Sequence, residues 1–252
     1  MKEYFYDFLL MIQFLTRLPV KKSLPCDKKN FRDGVAMFPL IGLIVGGIQY
    51  LTYYICIKVF PANITAIFII VVGIFVMGGL HQDGFGDIFD GFFSFKGDKN
   101  KIIEIMKDSR IGTFACIALI FDILTKYAAI TFIISMNMPL VIIVAPIVSK
   151  CSVTLLCLIG KNAKSTGTGN FFVENTSIVH FIISVITTIL ISIYLIGTNN
   201  SIIAILLGFL VTLLFLKLCK NKIGGITGDC LGANNEFVEL AVLILFTAML
   251  NR

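Results

Sequence analysis

The chain reads as long apolar runs separated by short polar ones. A helix spanning a bilayer takes about 20 apolar residues at about 1.5 Å of rise each. Runs of that kind occupy residues 36–57, 62–80, 112–134, 138–159, 178–197, 201–219 and 235–250, the last of them short. Residues 4–18 (YFYDFLLMIQFLTRL) are interrupted by Asp7, Gln13 and Arg17 and closed by Pro19. That pattern suits an interfacial or re-entrant helix better than a full span. No small-residue cleavage site follows, so the segment does not read as a signal peptide. The expectation is an all-α, polytopic membrane helix bundle of about seven transmembrane helices plus the N-terminal helix. No repeat or linker divides the chain, so a single domain over 1–252 is expected.

Composition agrees. Of 252 residues, 57% are apolar and 14% charged, against about 45–50% and about 25% in soluble domains. A water-soluble globule, a disordered chain and a fibrous protein are all excluded. The formal net charge of +6 matters less than its placement. Basic residues cluster before the first span (Lys2, Arg17, Lys21, Lys22, Lys28, Lys29, Arg32), in 81–110, more thinly in 160–177, and in 217–234. The short connections 58–61, 135–137 and 198–200 carry only Lys58. The positive-inside rule then places the N-terminus and the long loops in the cytoplasm. No basic, aromatic-interleaved surface suggests nucleic acid. The seven cysteines show no CxxC pair and the two histidines exclude a His-rich metal site, so the cysteines read as free thiols in a reducing compartment.

Polarity returns in three motifs. In GGLHQDGFGDIFDGFFSF (78–95), Asp83, Asp87 and Asp90 stand at i, i+4 and i+7, within about 60° of one another on a helix. Like charges at this spacing repel, and a bound cation offsets the repulsion. Mg²⁺ takes carboxylate oxygens, keeps waters and accepts substrate phosphate. In KDSRIGTF (107–114), Arg110 stands beside Asp108 and Ser109 at a membrane boundary, as a phosphate fork or an interfacial anchor. Between these motifs, residues 98–108 form an amphipathic segment suited to the membrane surface, with Asp98 as its cap. In GGITGDCLGANNEFVE (224–239), Gly224, Gly228 and Gly232 give a small-residue repeat, and Asp229, Glu236 and Glu239 add carboxylates.

Inside the spans, Asp122 and Lys126 read as a mutual i, i+4 pair, and Lys150 has no local acid, leaving substrate phosphate or another helix's carboxylate as its partner. His81 is a candidate proton carrier or an ordinary interfacial imidazole, and His180 a packing residue. The loop KNAKSTGTGNFF (161–172) has a lone GxG and is not a Walker A loop. Two acidic clusters on one side, with Arg110 and lysines, describe a site for an anionic substrate held through metal. Metal-assisted phosphoryl transfer leads; a transporter with carboxylates in its bundle is the rival.

With FLTRLPV (14–20), FPLIGLIVGG (38–47), GGLHQDGFGDIFDG (78–91), EIMKDSRIGTF (104–114) and GGITGDCLGA (224–233) followed by Glu236 and Glu239, the chain resembles the adenosylcobinamide-GDP ribazoletransferase (cobalamin synthase) family over nearly its whole length. The resemblance implies a multi-pass, Mg²⁺-dependent enzyme of the bacterial cytoplasmic membrane. In it, a ribose hydroxyl of α-ribazole, or of α-ribazole phosphate, attacks the cobinamide-side phosphorus of adenosylcobinamide-GDP and GMP leaves. On that reading Asp83, Asp87, Asp90 and Asp229 hold the metal. Arg110, Ser109, Asp108, Lys150, Thr227 and Glu239 bind substrate, and His81 or Glu236 assists deprotonation. A CDP-alcohol-type phosphotransferase and a non-catalytic corrinoid binder or transporter are the alternatives. A homo-oligomer is compatible with the sequence. The chain departs from the family pattern at Gln82, expected to point away from the aspartates, and at Ser149-Lys150 and Asn162-Ala163-Lys164, where family arginines are replaced by lysines.

Overall fold

A computed structural model describes residues 2–94, 97–164, 167–173 and 175–251. Phe95 of the aspartate motif, Lys96 of the second basic cluster and Ser165-Thr166 of the 161–172 loop lie outside the described residues. The described helices are α1 (Lys2–Leu15), α2 (Lys28–Gly34), α3 (Phe38–Cys56), α4 (Ala62–Met77), α5 (Leu80–Ser94), α6 (Lys99–Met106), α7 (Thr113–Ser135), α8 (Val141–Ile159), α9 (Ile178–Ile196), α10 (Thr198–Ile223) and α11 (Gly228–Leu250). Among the described residues, six helical stretches are long and apolar enough to cross a membrane, and α4 with α5 forms a bent pair that would make a seventh. The predicted all-helical membrane bundle is the observed one.

The differences from the expected spans lie at helix ends. The run 62–80 stops at Met77, because Gly78 (φ +64°) and Gly79 (φ +72°) take left-handed backbone conformations that other residues rarely adopt. Helix α5 then leaves at 90° to α4, so the aspartate motif stands on a helix of its own. The run 201–219 extends to Thr198–Ile223, and the short run 235–250 becomes a 23-residue helix beginning at Gly228. The segment 217–234 is therefore mostly helix, not a long loop. Gly224 ends α10 and Gly228 starts α11, so the glycine repeat does not line one helix.

The core is organised around α8, whose described residues Val141 to Thr154 are all buried. Helices α3, α11, α9 and α10 pack on its sides. The approach of α3 is set by glycine: a Cβ at Gly42 would stand 2.5 Å from the Pro146 carbonyl oxygen, and one at Gly46 2.8 Å from Ile143 Cα. Neither neighbour is a flexible side-chain end, so the helices themselves must part. Gly42→Ala is expected to destabilise the protein by about 1–3 kcal/mol, seen as a lower midpoint of thermal unfolding in detergent. An unchanged midpoint would show that the α3–α8 contact yields freely.

Helix α1 is a separate helix too short to span, packed on α2 and α3. Helix α6 carries the expected cap, with the Asn100 N–H donating to Asp98 at 2.8 Å. Its apolar side, however, buries Ile102 and Met106 against Phe85, Ile88 and Phe92 of α5 instead of resting on lipid. Gly91 makes the room, since a Cβ there would collide with Met106. All seven cysteines are free, with Cys26 and Cys116 exposed. His180 is more than packing: it faces Asp33 at 3.3 Å and accepts the Ser177 N–H at 3.1 Å.

Candidate active site

Helices α5 and α11 meet backbone to backbone. A Cβ at Gly84 would lie 2.7 Å from the Asp229 carbonyl oxygen, and one at Gly232 3.2 Å from His81 Cα. This glycine-mediated contact brings Asp83 and Asp87, on either side of Gly84, up to Asp229 in the first turn of α11. Thr227 precedes that turn and donates its hydroxyl to Asp229 at 3.0 Å. The loop before α9 is tied to the same motif: the Ile226 N–H donates to the Lys161 carbonyl at 2.8 Å and the Ala163 N–H to the Ile226 carbonyl at 2.9 Å. These bonds deliver Lys164 to the acidic site, where burial lowers its pKa and the charges of Asp229 and Asp87 oppose that shift.

Two contacts fix α5. The N–H groups of Gly112 (2.6 Å) and Ala115 (2.9 Å) at the start of α7 donate to the two carboxylate oxygens of Asp90. Lys222 donates to the Phe92 carbonyl near the end of α5 at 2.6 Å. Asp90 thus shares the predicted face but uses its carboxylate to hold the 110–115 segment beside α5.

That segment and α5 enclose a groove of about 510 Å³ lined by Asp83, Asp87, Asp90, Lys107, Ser109 and Arg110, among others. The expected juxtaposition of acidic motif and arginine is therefore present. Arg110 forks onto Asp108 (Nη2 to Oδ2 2.6 Å, Nε to Oδ1 3.0 Å), and its guanidinium hydrogen bonds hold the Asp108 carboxyl at about 2. The Arg110 side chain is 88% exposed, so an anion in the groove can reach the guanidinium in competition with Asp108. Gln82, expected to point away, lines this groove too.

Lys150, Glu236 and Glu239 lie elsewhere, in a buried network behind the aspartates. Lys126 on α7 is its hub: it pairs with Asp122 at 3.2 Å, with Glu236 in a short contact, and with Glu239 at 4.0 Å. Among the described residues Lys150 pairs with no carboxylate; it contacts His81 Nε2 at 2.9 Å and donates to Asn235 Oδ1 at 2.9 Å. His81 Nδ1 faces Glu236 Oε1 at 3.5 Å. Both imidazole nitrogens are thus engaged inside the bundle, and Glu236 is 2% exposed. Glu236 is thereby kept from the Arg110 groove, whereas His81 and Lys150 also line a cavity of about 110 Å³ together with Asp83 and Asp229. A cavity of about 30 Å³ at this network has room for a water or two.

The donor set suits a hard cation. Asp83, Asp87 and Asp229 offer carboxylate oxygens at one helix contact. Among the described residues, no group of three or more His, Cys, Asp or Glu side chains is arranged to hold an ion unaided. Mg²⁺ is commonly bound through one or two carboxylates, waters and the substrate's own phosphates, and this arrangement fits that mode.

The sequence profile of the cobalamin-5-phosphate synthase family matches residues 7–247. The chain belongs to that family. It is similar to adenosylcobinamide-GDP ribazoletransferases of Clostridium tetani (66% identical over 248 residues, 98% of each chain), Clostridium kluyveri (46% over 254 residues, the whole of each chain) and Clostridium botulinum (44% over 251 residues, 99% of this chain and the whole of the relative). No solved structure matches it.

In this cobalamin synthase family member, sequence reasoning missed Asn235 as the partner of Lys150 and Lys126 as the partner of Glu236. The available signal was the placement of Asn234 and Asn235 in an otherwise apolar helix stretch, where an uncompensated amide is costly. Sequence reasoning also gave no substrate role to Arg17 or to Phe14, Phe38 and Phe172.

Proposed function

We propose that the protein transfers the cobinamide phosphoryl group of adenosylcobinamide-GDP to a ribose hydroxyl of α-ribazole or α-ribazole phosphate, releasing GMP. The observation carrying this reading is the opposition of Asp83 and Asp87 to Asp229 beside a groove edged by Lys107 and Arg110, in a chain of this family. The hydroxyl oxygen forms a bond to the cobinamide-side phosphorus, the bond from that phosphorus to the bridging oxygen breaks, and GMP carries that oxygen away. Asp83, Asp87 and Asp229 would hold Mg²⁺, which when bound supplies charge neutralisation on the diphosphate. Arg110 and Lys107 take phosphate oxygens in the groove, and Lys164 approaches from the loop side. Asp83 orients the attacking hydroxyl and receives its proton. Asp90 keeps the Arg110 segment in register, and the Lys126 network fixes α11 against α7 so that Asp229 faces α5. The basic residues around 96–110, 161–164 and 217–222 support a cytoplasmic placement for this face.

The test is GMP release by the purified protein in nanodiscs, given adenosylcobinamide-GDP and α-ribazole phosphate. Release is expected only with both substrates and Mg²⁺, and is expected to cease with chelator. Folded protein that binds the corrinoid but yields no GMP would make this a binding or transport protein.

A further inference from the structure

Three cavities meet at Asp83. One is the groove of Arg110 and Lys107. A second, of about 110 Å³, lies on the opposite side and is bounded by Phe14, Phe38 and Phe172 together with Asp83 and Asp229. The third, of about 410 Å³, runs between the end of α1 and the α4–α5 turn and is bounded by Gln13, Thr16, Arg17, Gly78, Gly79 and Asp83, among others. The second and third also share Phe14, Leu15 and Leu80, so they lie side by side on the α1 side of Asp83.

These two cavities differ in chemistry. In the second, Phe172 stands between Phe14 (ring centroids 5.6 Å) and Phe38 (5.5 Å). Phe172 is seated there by the turn whose Gly169 touches the Gly228 backbone. In the third, the Arg17 side chain lies over Gly78, so closely that a Cβ there would come within 2.4 Å of Arg17 Nε. The Arg17 backbone N–H is anchored to the Val76 carbonyl at 2.7 Å. Among the described residues its guanidinium has no carboxylate partner.

We infer that these two cavities bind the acceptor: the flat base between Phe14, Phe38 and Phe172, the acceptor's phosphate on Arg17, and the ribose hydroxyl at Asp83. The inference rests on the reaction proposed above, and adds a phosphate-reading residue and a base pocket to it. The reaction needs donor phosphorus and acceptor hydroxyl on two sides of one group, and Asp83 is the residue common to all three cavities. A benzimidazole-type base has an apolar body and stacks on rings. The corrin is far too large for this pocket. A free guanidinium matches a phosphate dianion through its fork.

The experiment compares α-ribazole 5′-phosphate with α-ribazole as acceptors for nanodisc-embedded wild type, Arg17→Ala, Arg17→Lys and Phe172→Ala. Turnover is followed as GMP release, and acceptor binding by calorimetry without donor. Wild type is expected to prefer the phosphorylated acceptor. In Arg17→Ala the ratio of kcat/KM for the phosphorylated to the unphosphorylated acceptor is expected to fall about 10- to 100-fold, with Arg17→Lys between. Phe172→Ala is expected to raise KM for both acceptors and not for adenosylcobinamide-GDP. The inference is overturned if wild type is indifferent to the phosphate, if Arg17→Ala lowers both acceptors equally, or if either variant acts on the donor's KM instead. If wild type releases no GMP yet binds α-ribazole phosphate through Arg17, the reaction assignment falls and the acceptor site stands. GMP release with an unaltered acceptor ratio in Arg17→Ala has the opposite meaning.

Discussion

Asp83→Asn is expected to lower the rate of GMP release by about 10³-fold while the protein keeps its helical content and unfolding temperature. The side chain is isosteric, so what is lost is charge. Asp83 makes no side-chain hydrogen bond within the described residues that the fold would miss, in contrast to Asp90 with its two backbone donors. Removing one of several crowded carboxylates also relieves repulsion, so the unfolding temperature without divalent cation should equal or exceed that of wild type. Addition of Mg²⁺ should raise the wild-type unfolding temperature, because the native state alone presents the converged carboxylates, and should raise that of Asp83→Asn much less. Near-normal turnover by a folded Asp83→Asn protein would exclude the central role given to this residue.

Lys126→Met is expected to produce the largest loss of stability of any single substitution considered for this chain. It leaves Asp122, Glu236 and Glu239 facing one another with their shared cation gone. Stripping one partner from a buried ion pair costs about 3–5 kcal/mol, or about 6–20 °C in Tm for a chain of this size. Glu236→Gln should cost less, since Lys126 keeps Asp122 and Glu239. The double change Lys126→Met with Glu236→Gln should recover part of the loss, because two mutually dependent charges leave together. Thermal unfolding of the four proteins in one detergent measures this cycle. Equal midpoints for wild type and Lys126→Met would mean that α7 and α11 are held by apolar packing alone.

Much of the site was legible along the chain because helical periodicity is local. The spacing of Asp83, Asp87 and Asp90 placed them on one helical face, and α5 is that helix. The Asp98 cap and the Asp122–Lys126 pair are contacts within four residues, and both are present. The motif order likewise pointed to the family before any contact was known. What spacing could not reveal is that Asp90 turns its carboxylate to the α7 amides while Asp83 and Asp87 remain toward the groove. Equivalent positions on one helical face meet different neighbours, and the neighbours come from elsewhere in the chain.

The sequence alone determined that this is a helical membrane protein, where most spans lie, and which residues carry acidic and basic chemistry. Each of these follows from hydropathy and period, properties of residues within one or two turns of each other. Tertiary structure decided the rest. It set the right angle between α4 and α5, the closeness of Gly84 to Asp229, and the partners of Lys150. It also decided the meeting of three cavities at Asp83. These depend on backbones approaching where glycines remove the steric barrier, and on buried polar groups finding partners as far as 119 residues away in the chain. A polar group in a low-dielectric interior must be paired, and only the folded arrangement of helices determines with what.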